Sequence, residues 1–188
     1  METHTEIITR HLSLFTGGGG GELAAQWLKG WRTVAYVEYN DYCQRLIKQR
    51  IEDGLLDDAP IWDDVTTFDG NPWRGCVDII SGGFPCQPFS VAGKRDGASD
   101  SRNMWPHTIR IINEVRPRYV FLENVPGLLS AVDITADESI RYFGTILADL
   151  AQSGYVGQRR VLSAAEVGAP HKRDRVWIVA YSKDADRR

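Results

Sequence analysis

Apolar and polar positions along the chain fall into two alternating patterns. Short apolar runs at residues 11–15, 33–38, 61–65, 77–81, 119–122, 155–164 and 176–181 predict strands. Between most of them lie stretches with apolar residues three or four apart, at 22–28, 41–50, 103–115 and 137–151, which predict helices. Strands alternating with helices imply an α/β fold with a mostly parallel sheet and helices on both faces. The strand at 155–164 is expected at the sheet edge, with the final strand antiparallel to it. Local signals sharpen the outline. Leu23, Ala24, Trp27 and Leu28 share one face of the first helix and are predicted to face the core. Trp105, Ile109 and Ile112 do the same for the third, and Asp41 is a plausible N-cap for the second.

Length and composition narrow the class. A chain of 188 residues makes one domain, with a core expected over about 11–181 and a charged tail at 182–188. With 25 acidic residues against 22 Lys plus Arg, the net charge is −3, which argues against a broad nucleic-acid-binding face on this chain alone. No apolar run approaches membrane-spanning length, and no signal peptide follows Met1. Cys43, Cys76 and Cys86 are odd in number and lack paired metal spacing, so free thiols, a reducing cytoplasm and no metal are expected.

The candidate chemistry gathers at strand ends. The run 77–81 is followed by Gly82-Gly83-Phe84-Pro85-Cys86-Gln87-Pro88, where glycines and prolines stop the strand and fix a turn. Cys86 therefore stands at the carboxyl end of a strand, where open α/β sheets bind ligands. A buried structural thiol is the ordinary alternative, but the Pro-framed position favours a nucleophile. The first strand runs into Thr16 and five consecutive glycines, 17–21, before a helix. Small residues and a helix start form a cradle for a nucleotide. Glu38 ends the next strand about 20 residues on, where a ribose-binding carboxylate belongs. Glu22 occupies the position of the third glycine of a dinucleotide fingerprint, so the loop indicates an adenosine-type ligand more firmly than NAD. Asp63 and Asp64 suit either a hydrogen bond to an adenine amino group or a turn. The polar stretch 91–102, with Lys94, Arg95 and Arg102, is expected to be a lid able to meet phosphates. A second polar cluster, Glu123-Asn124-Val125, ends the strand at 119–122, and 168–175 is a basic turn.

Taken in order, these motifs resemble those of the DNA (cytosine-5)-methyltransferases over nearly the whole chain, from about Leu12 to Ala180. The resemblance implies a Rossmann-like, S-adenosylmethionine-dependent methyltransferase fold. Phe15-Thr16-Gly17-Gly18-Gly19-Gly20 matches the family's cofactor loop, so Phe15, Gly17, Gly19 and Gly20 are expected cofactor contacts. Glu38 matches the acid that holds the ribose, Asp64 and Val65 the pair beside the adenine, and Pro85 the residue before the nucleophile. Cys86 is then the nucleophile, Glu123 the acid that grips the target cytosine, and Arg173 and Arg175 the Arg-x-Arg motif of the same pocket. Double-stranded DNA is the implied substrate, and a soluble bacterial or phage-encoded enzyme the implied setting. Ser13 and Gly21 depart from the family's cofactor loop, and His171 stands where Gln is usual.

Family members normally continue into a basic target-recognition domain and a final segment completing the cofactor pocket. Neither is recognisable after Tyr181, so recognition by a second polypeptide is expected. A catalytically incomplete cofactor-binding fragment and an RNA cytosine-5 methyltransferase are the competing expectations. An NAD dehydrogenase is disfavoured by Glu22 and by the cysteine motif.

Overall fold

A computed structural model describes residues 8–85, 103–131 and 142–184. Seven strands form one sheet in the order β3-β2-β1-β4-β5-β7-β6. They are β1 (Arg10–Leu14), β2 (Arg32–Val37), β3 (Ile61–Trp62), β4 (Ile79–Gly82), β5 (Tyr119–Asn124), β6 (Tyr155–Ser163) and β7 (Asp174–Ser182). The helices are α1 (Gly20–Lys29), α2 (Asp41–Glu52), α3 (Trp105–Val115) and α4 (Tyr142–Gln152). Pairing is parallel from β3 through β5, whereas β7 is antiparallel to both β5 and β6. The reversed strand therefore lies one place in from the edge, and β6 takes the edge itself.

Alternation along the strands decides which face holds the core. Leu12, Leu14, Ile80, Val120, Leu122, Val176 and Ile178 are at most 1% exposed and pack with Ile111, Ile112, Val115, Ile146 and Leu150 of α3 and α4. Each such side chain contributes roughly 1.5–3 kcal/mol by leaving water. A smaller cluster of Tyr36, Ile47 and Leu56, joined by Leu23 and Ile51, fixes α1 and α2. On the face opposite α3 and α4, Phe121 of β5 stacks on Trp177 of β7 with ring centroids 5.1 Å apart.

Several local expectations are corrected. The cap of α2 is Asn40, whose Oδ1 accepts from the N–H groups of Tyr42 and Cys43; Asp41 lies inside the first turn, where its charge suits the helix dipole. Trp27 and Leu28 are 70% and 79% exposed, because α1 presents Leu23 to α2 and leaves the other side of the stripe uncovered. In α3 Trp105 and Ile112 are buried as expected, together with Thr108, Ile111 and Val115, but Ile109 is only half-buried. The strand expected over 61–65 shortens to two residues, since the Asp64 carbonyl and side chain turn the chain at once. The start of the helix expected at 137–151 lies outside the described residues.

Candidate functional site

Sheet order changes direction between β1 and β4, and the carboxyl ends of β1, β4 and β5 are level there. Leu14 pairs with Gly82, and Gly82 with Leu122. Because β7 runs the other way, its amino end arrives at the same rim: Glu123 pairs with Trp177, and Asn124 with Val176. A groove of about 1220 Å³ runs from that rim along the sheet face beside α1 as far as Thr9, Trp31 and Tyr119, and at the rim it is lined by Phe15, Thr16, Gly18, Gly20, Glu22, Gly82, Gly83, Glu123, Arg173 and Arg175. The glycine loop and the Glu123 cluster thus share one concavity.

The loop's conformation explains its residues. Phe15 takes a left-handed φ of 54°, unusual for a side chain of that size, and turns the chain off β1. Gly17 and Gly19 follow with φ of 61° and 80°. A Cβ on Gly19 would lie 2.8 Å from Leu56 Cδ1, so close packing as well as φ demands glycine there. Gly20 begins α1 over open space. Glu38 is buried at the end of β2; its Oε2 accepts from the Gly17 N–H at 2.6 Å and its Oε1 from the Asn40 N–H at 2.8 Å. One carboxylate thereby ties the glycine loop to the start of α2.

On the other side of the rim the Arg175 guanidinium meets Glu123, Nε to Oε1 at 2.6 Å, both side chains being largely sheltered. A Cβ on Gly83 would come within 3.1 Å of Glu123 Oε2, so the carboxylate rests against the chain leaving β4. Asn124, 3% exposed, donates from Nδ2 to the Phe84 carbonyl at 2.9 Å and accepts from the Val125 N–H at 2.9 Å. This tie holds the backbone immediately before Pro85. Pro85 is exposed at the strand end. Cys86 lies outside the described residues, as does the expected lid at 91–102.

Of the expected cofactor residues, Phe15 and Gly20 line this groove, whereas Gly17, Gly19, Glu38, Asp64, Val65 and Pro85 are not among its lining. Asp64 Oδ1 accepts from the Thr66 N–H at 2.8 Å, and that bond lowers its pKa; it serves a turn beside Val65, which is buried. Of the two roles open for Asp64, the turn is the one observed, and neither residue lines the groove. Arg173 lines the groove with an exposed side chain, while Arg175 alone engages Glu123. Sequence reasoning passed over Asn124 as a mere member of its motif, although an Asn at a buried strand end signals an unmet backbone bond. It also treated Ser13 as a departure and Glu22 as a missing glycine. The two are joined, Ser13 Oγ donating to Glu22 Oε1 at 2.6 Å.

Residues 9–188 match the family model described as C-5 cytosine-specific DNA methylase. The chain belongs to that family. It is 34% identical over 168 residues to the Type II methyltransferase M.NgoMIV of Neisseria gonorrhoeae, covering 89% of this chain and 50% of the relative. It is 35% identical over 175 residues to M.Eco47II of Escherichia coli, covering 92% of this chain and 39% of the relative. It is 31% identical to M.AquIA of Picosynechococcus sp., covering 89% of this chain and 70% of that relative. The chain thus spans about half the length or less of the first two relatives. Among solved structures it resembles Spodoptera frugiperda DNMT2 (TM-score 0.70, 23% identity, 94% of this chain and 50% of that one) and Schizosaccharomyces pombe Dnmt2 (TM-score 0.70, 21% identity, 93% and 51%) in fold.

Cytosine-5 methylases of this Rossmann-like fold use S-adenosylmethionine, and the residues present fit that group. The glycine loop admits a ligand to its backbone, and the Glu38 oxygens keep lone pairs for a ribose diol. A buried, unpartnered carboxylate oxygen on Glu22 awaits a donor. Among the described residues, no group of three or more His, Cys, Asp or Glu is placed to hold a metal ion, and no helix is long and apolar enough to cross a membrane.

Proposed function

We propose that this chain is the catalytic part of a DNA cytosine-5 methyltransferase acting through a covalent Cys86 adduct, with target recognition supplied by a second polypeptide. The observation carrying this reading is the single groove shared by the glycine loop and the Glu123–Arg175 pair.

Carbon 5 of cytosine is a poor nucleophile while the ring is aromatic. Addition of the Cys86 thiolate to carbon 6 breaks that aromaticity and makes carbon 5 enamine-like. Negative charge then develops toward N3, where Glu123 offers a hydrogen bond when protonated, and Arg175 offers one to the ring carbonyl. Arg175 lies within 2.6 Å of Glu123, so the pair is pre-assembled on one rim. Asn124 holds the backbone leading to Cys86. S-adenosylmethionine, when bound, supplies an electrophilic methyl group on a sulfonium centre. Glu38 and the glycine loop would hold it, and the target base must leave the duplex stack to reach the groove.

The test is methyl transfer from labelled cofactor to duplex DNA, with transfer RNA as the alternative acceptor, each with and without a candidate partner polypeptide. Wild type should methylate DNA when partnered, and Cys86→Ser should abolish transfer while keeping cofactor affinity. Undiminished activity of Cys86→Ser would remove the covalent step from the proposal. Transfer to RNA alone would reassign the substrate.

A further inference from the structure

We propose that Glu22 is a cofactor-binding residue whose carboxylate receives the α-ammonium group at the methionine end of S-adenosylmethionine. This rests on the reading of the groove as the cofactor site. Glu22 stands in the first turn of α1, directly after the glycine run, and is only 5% exposed. Its Oε1 accepts from Ser13 Oγ at 2.6 Å, and Ser13 Oγ lies 2.9 Å from Thr16 Oγ1, so one oxygen is fixed beneath the loop. Its other oxygen, Oε2, is buried and has no hydrogen-bond partner among the described residues. Burial pushes the Glu22 pKa up, outweighing the Ser13 bond, its own backbone N–H and the charge of Arg50. A buried carboxylate oxygen left unmet is costly, so native structures supply such an atom with a donor.

The chemistry of the ligand narrows the donor. S-adenosylmethionine has three kinds of N–H or O–H group: the ribose hydroxyls, the adenine amino group and the α-ammonium. The hydroxyls belong with Glu38 at the end of β2, which already closes the loop from the side of α2. The adenine belongs beyond that strand. Glu22 lines the groove with Phe15, Thr16, Gly20, Gly82 and Gly83, on the side toward β4 and Glu123. The amino-acid end of the ligand remains for it, and the ammonium is that end's only donor. A cation there would also offset the burial that disfavours the Glu22 charge. The helix start at Gly20 suits the accompanying carboxylate.

Titration calorimetry on the 188-residue chain with two ligands separates binding from loop support. S-adenosylhomocysteine carries the ammonium; 5′-methylthioadenosine keeps the adenosine and lacks the whole amino-acid end. Glu22→Gln retains an acceptor for Ser13 and loses the charge. It should weaken S-adenosylhomocysteine roughly tenfold or more, the loss of a charge-assisted hydrogen bond, and leave methylthioadenosine within about twofold. Ser13→Ala removes the tether while sparing Oε2, and should keep the ratio of the two affinities at the wild-type value. Equal weakening of both ligands by Glu22→Gln, or no weakening of either, overturns the assignment. If Glu38→Ala binds both ligands as wild type does while Glu22→Gln behaves as expected, the ribose assignment fails and Glu22 stands. Wild-type protein that binds neither ligand overturns the cofactor reading and the Glu22 assignment together.

Discussion

Replacing Asn124 by alanine tests whether the strand end before Cys86 is held by one side chain. Asn124 is 3% exposed and makes two bonds of 2.9 Å, one to Phe84 across strands and one to its own neighbour. Each bond is worth about 1 kcal/mol net, and losing the donor strands the Phe84 carbonyl in a buried setting at about 1–3 kcal/mol. Asn124→Ala should therefore destabilise the chain by about 2–4 kcal/mol in urea unfolding, at an unchanged slope. Asn124→Asp keeps the acceptor for Val125 and loses only the donor, so it should fall between alanine and wild type. The released strand end should also alter the reactivity of Cys86 toward a thiol reagent, measured with Cys43 and Cys76 replaced by serine. Displacing a nucleophile by about 1 Å costs on the order of a hundredfold in rate, so methyl transfer should fall by that factor. Cofactor affinity should stay within about threefold, since the Asn124 side chain is buried against the Phe84 carbonyl and away from the glycine loop. Alanine within 0.5 kcal/mol of wild type, together with unchanged Cys86 reactivity, would show that the tie is idle.

Three further outcomes are expected. Glu38→Ala frees the Gly17 and Asn40 N–H groups and should weaken S-adenosylhomocysteine at least tenfold by calorimetry; unchanged affinity refutes its role. Gly19→Ala forces a Cβ into a φ of 80° and to 2.8 Å from Leu56, so it should cost roughly 1–3 kcal/mol in thermal unfolding, whereas Gly20→Ala, over open space, should cost little. His11 is buried between Thr33 and Ser81, and burial lowers its pKa to about 4 from 6.5. A depressed pKa means the neutral form is favoured in the fold. Its contribution is therefore complete above pH 6.5 and drains as pH falls toward 4, by about 2 kcal/mol at pH 5. His11→Gln should unfold with a shallower pH dependence across that window, and a slope equal to wild type would exclude His11 as its source.

How much was legible depended on whether a signal was local. The strands at 11–15, 33–38 and 119–122 were readable because a two-faced apolar run has few other fates, and the glycine loop because five small residues before a helix have little other use. The stripe of Trp27 and Leu28 misled because amphipathic spacing says which residues share a face and not whether anything covers it. Asp41 misled because Asn40, one position earlier, makes the better cap, and propensity does not resolve adjacent candidates. Asn124 and Glu22 were opaque for a stronger reason. Their partners, Phe84 and Ser13, are set by strand register and helix placement, which no window of sequence contains.

The arginines show the same point in reverse. Arg173 and Arg175 were placed with Glu123 by motif alone, 50 residues away and with no physical path between them in the sequence. The path is the direction of β7. Parallel pairing to β5 would carry Arg175 toward the Tyr119 end, on the order of 17 Å from Glu123 at about 3.4 Å per residue. Antiparallel pairing instead matches Glu123 with Trp177 and brings Arg175 to the rim, in contact at 2.6 Å. That reversal requires a hairpin between β6 and β7, and the hairpin is built locally. Ser163 and Glu166 form a capping box, and Gly168, at φ 92°, ends the turn. A short connection between β6 and β7 thus sets the electrostatics of the groove, because one strand must run backward for a guanidinium to meet the carboxylate.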